Sequence, residues 1–521
     1  MPRSTLQGWL TQKQSVDAAA AEVAFFESPA GLAVLHRIML AAHLVMSFVG
    51  ACGTRLVSLF LHKAGLDPFV ASSDGAQRKV AKRVQVETVK FGKQERERLG
   101  ATMDPRPITL VEDETFHQQP CLVAIEPVSN FILVEQYSEH RDSASWGKAL
   151  KEELCGLPVK VVQVNSDQGK AILNHVEMDL GAHQSPDVFH VQYDVSRGSS
   201  AALAAKGRQA RARLDQASCA LQEVVQQEQD RAQKPPTPGR PPDWEARREA
   251  AQQVLQKAQQ DVQEATAQQQ GMQQVLRDIG TTYHPYDLGT GNIQTAAEVK
   301  TALEAHMGRA HSICTKAALP AHGLERIAKA ARVVPQMVAT VAFFHVLVAT
   351  WVGTLGVAPA VANLLLRLLI PMLYLKRVAH SAKDAATRVA IRRVAAQLEA
   401  AWRASSATWQ ALPEAMQQRA WAMAEQCANL FQRSSSCVEG RNGQLSLRHH
   451  HLHQISTERL QALTVIHNFE LRRADGTTAA ERFFGRRPTD LFTALCLRIP
   501  LPARPRKRRP KPVQFSVGAS L

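Results

Sequence analysis

Residues 106–167 read RPITLVEDETFHQQPCLVAIEPVSNFILVEQYSEHRDSASWGKALKEELCGLPVKVVQVNSD, and this stretch decides the fold class. Ile108-Thr109-Leu110-Val111 is a short β-type run that ends in Glu112-Asp113-Glu114. Cys121-Leu122-Val123-Ala124-Ile125 is a second run and Phe131-Ile132-Leu133-Val134 a third. Pro127-Val128-Ser129-Asn130 supplies the turn between these last two. A helix carrying Trp146 and Leu150 follows. Val159-Lys160-Val161-Val162-Gln163-Val164 then alternates as a fourth strand and stops at Asn165-Ser166-Asp167. Three strands, a helix and a strand make a mixed α/β unit.

Outside this stretch the chain reads as helix. Residues 1–104 form a helical N-terminal region, in which Ser4-Thr5-Leu6-Gln7-Gly8-Trp9-Leu10 has a capping hydroxyl before an apolar turn. Arg78, Lys79, Lys82 and Arg83 make a basic stretch suited to phosphate contacts or to a solvated face. Residues 196–430 are expected to be all-helical. They include a helical hairpin, Ala201 to Gln233 and Trp244 to Gly280, broken by KPPTPGRPP at 234–242, which no helix crosses. Its sparse apolar positions suit a protruding arm. Val333 to Leu366 carries no Asp, Glu, Lys or Arg. Its length would span a bilayer, but two short buried helices joined near Gly353–Pro359 explain it as well, and no membrane partner is expected.

The composition bounds the function. The 521 residues, 45% hydrophobic and 21% charged, are globular in balance and too many for one compact core. Lys and Arg number 62 against 47 Asp and Glu, a net charge of +15 that favours nucleic acid or an anionic surface as partner. The 8 cysteines form no Cys-x-x-Cys pair, which argues against a zinc ribbon or a disulfide scaffold and for reduced thiols in the cytoplasm. Met1 to Gln14 is polar, so no secretory signal is expected. There is no Gly-x-x-x-x-Gly-Lys-Ser/Thr loop, no Gly-x-Ser-x-Gly and no His-Glu-x-x-His, and the common nucleotide-motor, hydrolase and metalloprotease readings fall with them.

Two acids sit where strands end, Asp113 after the first and Asp167 after the fourth, with Glu112, Glu114 and Glu126 as rivals of Asp113. In a sheet ordered like ribonuclease H the first and fourth strands are neighbours, so these carboxylates would converge at one edge. Convergent carboxylates need a divalent cation to neutralise them, which is the demand of two-metal phosphoryl transfer. Glu439 is the candidate third acid, with Asn442 one turn later on the same helix face. His449, His450, His451 and His453 suit an exposed or DNA-facing helix better than a metal site, because consecutive helical histidines cannot all face one ion.

The order strand–Asp113, two strands, helix, strand–Asp167 and distant helical Glu439 resembles the DDE-type transposases of bacterial insertion sequences and their retroviral-integrase-like catalytic domain. The interval from Asp113 to Asp167 suits that pattern. The far longer one to Glu439 resembles members with an all-helical insertion between the second and third acids. Asp187-Val188-Phe189-His190 resembles the family's Asp-x-x-His or Cys-x-x-His motif, and Ser434 to Asn442 with Asp475 to Pro488 looks like the C-terminal portion of these enzymes. By motif the resemblance covers about residues 105–195 and 430–490.

The resemblance implies an α+β chain, predominantly α. A ribonuclease H-like core would be assembled from 105–195 and 431–495 and split by the insertion 196–430, with a basic tail at 496–521. It implies two Mg²⁺ or Mn²⁺ ions held by Asp113, Asp167 and Glu439, and cleavage and joining of DNA strands at the ends of a mobile element. Asp187, His190 and Asn442 would support the site or touch phosphate, although Asp187 and His190 could equally fix local packing. Arg78, Lys79, Lys82, Arg83, Arg441, Arg506, Lys507, Arg508 and Arg509 are the candidate contacts to double-stranded DNA. A homodimer or larger assembly on DNA in the bacterial cytoplasm, at the nucleoid, is expected. The alternative expectation is an inactive, transposase-derived DNA-binding or scaffold protein.

Overall fold

The computed structural model describes residues 18–117, 119–235, 242–452 and 455–502. The expected N-terminal helix at Ser4–Leu10, His453, most of the proline-rich tip, and the tail cations Arg506, Lys507, Arg508 and Arg509 lie outside the described residues. The chain is about 70% helical with one small mixed sheet of five strands, as the α+β reading expects. The strands are β1 (Arg106–His117), β2 (Gln119–Glu126), β3 (Phe131–Tyr137), β4 (Val159–Ser166) and β5 (His183–Pro186), in the order β3-β2-β1-β4-β5. β2 and β3 pair antiparallel from Cys121↔Tyr137 to Glu126↔Phe131, and β4 and β5 pair parallel.

Two details differ from the sequence reading. β1 does not stop at Val111 but runs on through Glu112-Asp113-Glu114 to His117, so Asp113 lies within the strand and not at its end. Ladder pairing satisfies the backbone whatever side chain it carries, and it overrides the poor strand preference of three acids. The short fifth strand has no hydrophobic run to announce it.

The chain divides into two compact units, and the expected core segment 105–195 contributes to both. The first unit comprises Met1–Pro107, Asp113–Lys160 and Ser436–Leu521. Here the helix Asp74–Gly100, the helix Thr457–Phe469 and the β2–β3 hairpin share a core. Phe131 stacks on Phe483 at 4.5 Å, and Phe91 meets Phe469 edge-on at 5.8 Å. Asn130 turns the hairpin with φ 63°, a conformation that Asn tolerates better than most residues. On β3, Asn468 bonds both backbone groups of Ile132 at 2.9 Å and so satisfies an edge a stray strand would otherwise pair with.

The second unit comprises Ile108–Glu112 and Val161–Ser435. Its helices Val188–Ala232 and Trp244–Thr282 form the expected hairpin. Buried residues recur every seven positions, Leu203, Ala210 and Ala217 on one helix and Ala258, Ala265, Met272 and Ile279 on the other. This is the seam of a pair of helices held close by small side chains. No residue of the described part beyond Ala217 and before Ala258 is buried, so the outer half of the hairpin is an exposed arm.

The apolar stretch resolves into the helices Val334–Thr354 and Pro359–Leu364, broken at Gly356 with φ 64°; the break falls where expected, but the first helix, at 21 residues, is not the short one expected. The first of these buries Met337, Val341, Phe344, Val348 and Val352 along one face. By length and composition alone, three helical stretches among the described residues could cross a membrane: Pro29–Val49, Ala321–Thr354 and Pro359–Ser381.

Where the helices Val188–Ala232 and Ala321–Ala331 pack together, Gly198 and Gly323 let their backbones touch. A Cβ on Gly323 would stand 2.4 Å from the carbonyl oxygen of Gly198. Backbone on both sides leaves nothing to rotate away, so Gly323→Ala is expected to cost about 1–3 kcal/mol, read as a lowered Tm in a thermal melt.

Candidate active site

The sequence-predicted residues divide between the units, Asp113, Glu439 and Asn442 falling in the first and Asp167, Asp187 and His190 in the second.

In the first unit the helix Ser436–Leu452 carries Glu439 in its first turn, where the positive end of the helix dipole favours a carboxylate. Asn442 follows one turn on, and its Nδ2 donates to Asp113 Oδ2 at 3.3 Å across 329 residues of chain. Asp113 is half-buried, and its Oδ1 accepts from the backbone N–H of Glu114 at 2.9 Å. Glu439 is exposed.

Two of the rivals of Asp113, Glu126 and Glu114, are otherwise engaged. Glu126 is buried and accepts from the N–H groups of Val128 and Ser129 at 3.0 and 2.8 Å, bracing the hairpin turn. Glu114 takes Trp146 Nε1 at 3.2 Å and Arg141 Nη1 at 3.4 Å. Glu112 is wholly buried, and neither carboxyl oxygen has a hydrogen-bond partner among the described residues.

Burial pushes the carboxyl of Glu112 up to about 8. A folded-state value above the unfolded one gives stability that is full below the ordinary glutamate range and lost as pH rises to about 8. The slope is about 1.4 kcal/mol per pH unit. Glu112→Gln is expected to flatten the pH 5–8 stability profile, measured by urea unfolding at successive pH values.

Arg441 corrects an expectation. It does not face DNA: only 4% of its side chain is exposed, and its Nε and Nη2 donate to the two carboxylate oxygens of Glu135 at 2.7 and 2.6 Å. Thr464 Oγ1 stands 2.6 Å from the same carboxylate. Burial works to raise the Glu135 carboxyl, but the charge and hydrogen bonds of Arg441 outweigh it and hold it below the usual range. A buried guanidinium satisfied in this bidentate way is not offered to a phosphate. The pair has one sequence signal, the single acid in the otherwise apolar start of Phe131-Ile132-Leu133-Val134-Glu135. His449 Nε2 meets Tyr137 OH at 3.2 Å and His450 is exposed.

In the second unit Asp167 follows β4 directly, half-buried, and its Oδ1 accepts from Gly169 N at 2.9 Å, a local turn that fixes the carboxylate at the strand end. Asp187 is buried and caps the helix Val188–Ala232 by accepting from Phe189 N at 2.8 Å. Its other oxygen takes the hydroxyl of Ser435, and its N–H reaches the carbonyl of Ser166 at 3.1 Å. His190 Nε2 is 3.8 Å from Asp187, with the ring 40% exposed. Asp187 therefore holds local structure together, while His190 is the member of this pair open to a ligand.

For a divalent ion the donor chemistry suits the first unit in part. A carboxylate and a carboxamide meet there, and Asn442 Oδ1 is closed off from solvent with no hydrogen-bond partner among the described residues. Among the described residues no group of three His, Cys, Asp or Glu is placed to hold a metal ion.

Residues 365–511 match a family of unknown function (DUF6399), a span that takes in Glu439 and Asn442 but neither Asp113 nor Asp167. No curated protein matches the chain in sequence.

Proposed function

We propose that this chain is a DDE-type DNA transposase that cuts and joins DNA strands at the ends of a mobile element, its sheet being the core of a split ribonuclease H-like domain. The observation that carries the reading is the meeting of Asp113 with Asn442, one helical turn from Glu439, across 329 residues of sequence. The strand order β3-β2-β1-β4-β5 supports it by making β1 and β4 neighbours in the sheet, and Asp167 follows β4 directly.

Asp113, Asp167 and Glu439 would hold Mg²⁺ or Mn²⁺, which when bound supplies a polarised nucleophile and neutralises charge at the leaving oxygen. Asn442 orients Asp113.

Binding would run through phosphates. Arg78, Lys79, Lys82 and Arg83 are all exposed on one side of the helix Asp74–Gly100, and the Asp74 carboxylate offsets only Arg78, at 2.8 Å. Replacing Lys79, Lys82 and Arg83 with Gln is expected to weaken duplex binding alike for all sequences. The slope of log affinity against log salt should fall by about one for each phosphate no longer neutralised. Fluorescence anisotropy across a salt series reads both, and an unchanged slope would remove this helix from the DNA interface.

A second reading has an observation of its own. With no trio of potential ligands together among the described residues, the chain would be a transposase-derived DNA-binding or scaffold protein without cleavage activity. Binding without metal-dependent cleavage separates the two.

A further inference from the structure

We propose that the exposed side of the helix Val188–Ala232 binds an unpaired DNA strand, stacking its bases on Phe189 and Tyr193 and pairing its phosphates with Arg197, Arg208 and Arg211. The proposal rests on the DNA reading for the kind of polymer offered to this surface, but it needs neither the metal nor the cleavage step.

A helix that faces solvent usually gives its outer positions to polar residues, and the first turns of this one do not. Phe189 is 48% exposed and Tyr193 44% exposed. Their rings lie stacked, with centroids 6.1 Å apart and planes 24° apart. Arg197, one turn further, sits over the Tyr193 ring at 5.5 Å, and its Nη1 donates to the phenol oxygen at 3.2 Å. A spacing of four sets all three on one side of the helix. The result is an ordered pair of rings kept in solvent, with a cation at one end.

The same side is basic. From Val195 to Leu214 the helix has five cations and no Asp or Glu. At about 100° per residue, Arg208 and Arg211 fall on the side of Phe189, Tyr193 and Arg197, and each of these residues is exposed. The acid beside Tyr193, Asp194, is taken by Arg326 at 3.1 Å and Lys329 at 2.9 Å, and the next along the helix is Asp215. From Phe189 to Arg211 the stripe is about 33 Å long, room for several nucleotides.

A duplex hides the faces of its bases in its own stack, so it would use the cations and leave the rings bare. An unpaired strand offers a π face and a phosphate at every step, the two groups that this stripe is built to meet. The aromatic end lies beside the end of β4, where the N–H of Asp187 bonds the carbonyl of Ser166 at 3.1 Å and Asp167 follows in the chain.

Fluorescence anisotropy of the full chain in EDTA would compare a labelled oligothymidine with an abasic strand of the same length and charge. The wild type is expected to bind the oligothymidine roughly tenfold tighter, since stacking acts on bases alone. Phe189→Ala with Tyr193→Ala should bring the two strands to within about twofold of each other, and Arg208→Gln with Arg211→Gln should weaken both alike. A thermal melt checks the fold of each variant. Equal affinity of the wild type for the two strands overturns the proposal, whether or not the variants fold. So does a preference that persists in a folded ring variant, or a charge variant that binds both strands as the wild type does. An RNA strand held about tenfold tighter than its DNA counterpart also overturns it. With no metal present, a chain that cuts no DNA can pass this test, and one that cuts DNA can fail it.

Discussion

Replacing Asp167 with alanine is expected to abolish metal-dependent strand cleavage, lowering the rate about a thousandfold or more, while DNA binding stays within a small factor of wild type. The effect is large because a group that acts in a unit takes most of the unit's contribution with it. Asp167 is also a clean choice. It follows β4 and is half-buried, and the one side-chain hydrogen bond seen for it is to Gly169 N at 2.9 Å. Losing that turn costs little folding energy, so a fall in cleavage would not be a fall in folded protein. The check is a nicking assay on end-labelled DNA carrying the element's ends, beside anisotropy and a thermal melt on the same preparation. Cleavage that survives the substitution would place the second acid elsewhere.

Arg441→Ala is expected to destabilise the first unit by about 3–5 kcal/mol, because it strands the buried Glu135 carboxylate without a counter-charge. Both side chains are almost wholly buried, Arg441 at 4% and Glu135 at 0% exposure. Urea unfolding measures the loss. Removing both charges with Arg441→Met and Glu135→Leu is expected to recover most of it, since the penalty lies in the unpaired ion. The sign with pH follows from the same pair. The Glu135 carboxyl is held below its ordinary value, so its contribution is present above the usual glutamate range and lost as pH falls through the folded-state value. Equal destabilisation in the single and double variants would mean that shape, and not charge, makes this contact.

These two residues show what a single sequence can and cannot convey. Strands, their turn at Pro127–Asn130 and the proline break in the long hairpin are legible because each depends on neighbours in sequence. Asp113 is legible as a candidate but not in its place: the strand carrying it continues through three acids because backbone pairing supports them. Arg441 reads as a DNA contact because an arginine beside Glu439 and Asn442 looks exposed until its partner is known, and Glu135 lies 306 residues away. Asp187 likewise looks like half of a catalytic motif, yet the helix start that it caps and the distant Ser435 claim its carboxylate.

The transposase reading rests on acids that act with a divalent ion on DNA, and strand cleavage by the wild-type chain tests it most directly. The full-length protein would be incubated with end-labelled DNA carrying the element's ends, in Mg²⁺, in Mn²⁺ and in EDTA, with products resolved to the nucleotide. Nicks at defined positions that leave 3′-hydroxyl ends are expected in either metal, and they should vanish in EDTA. Tight DNA binding with no cleavage in either metal would contradict the reading and make this chain a DNA-binding scaffold.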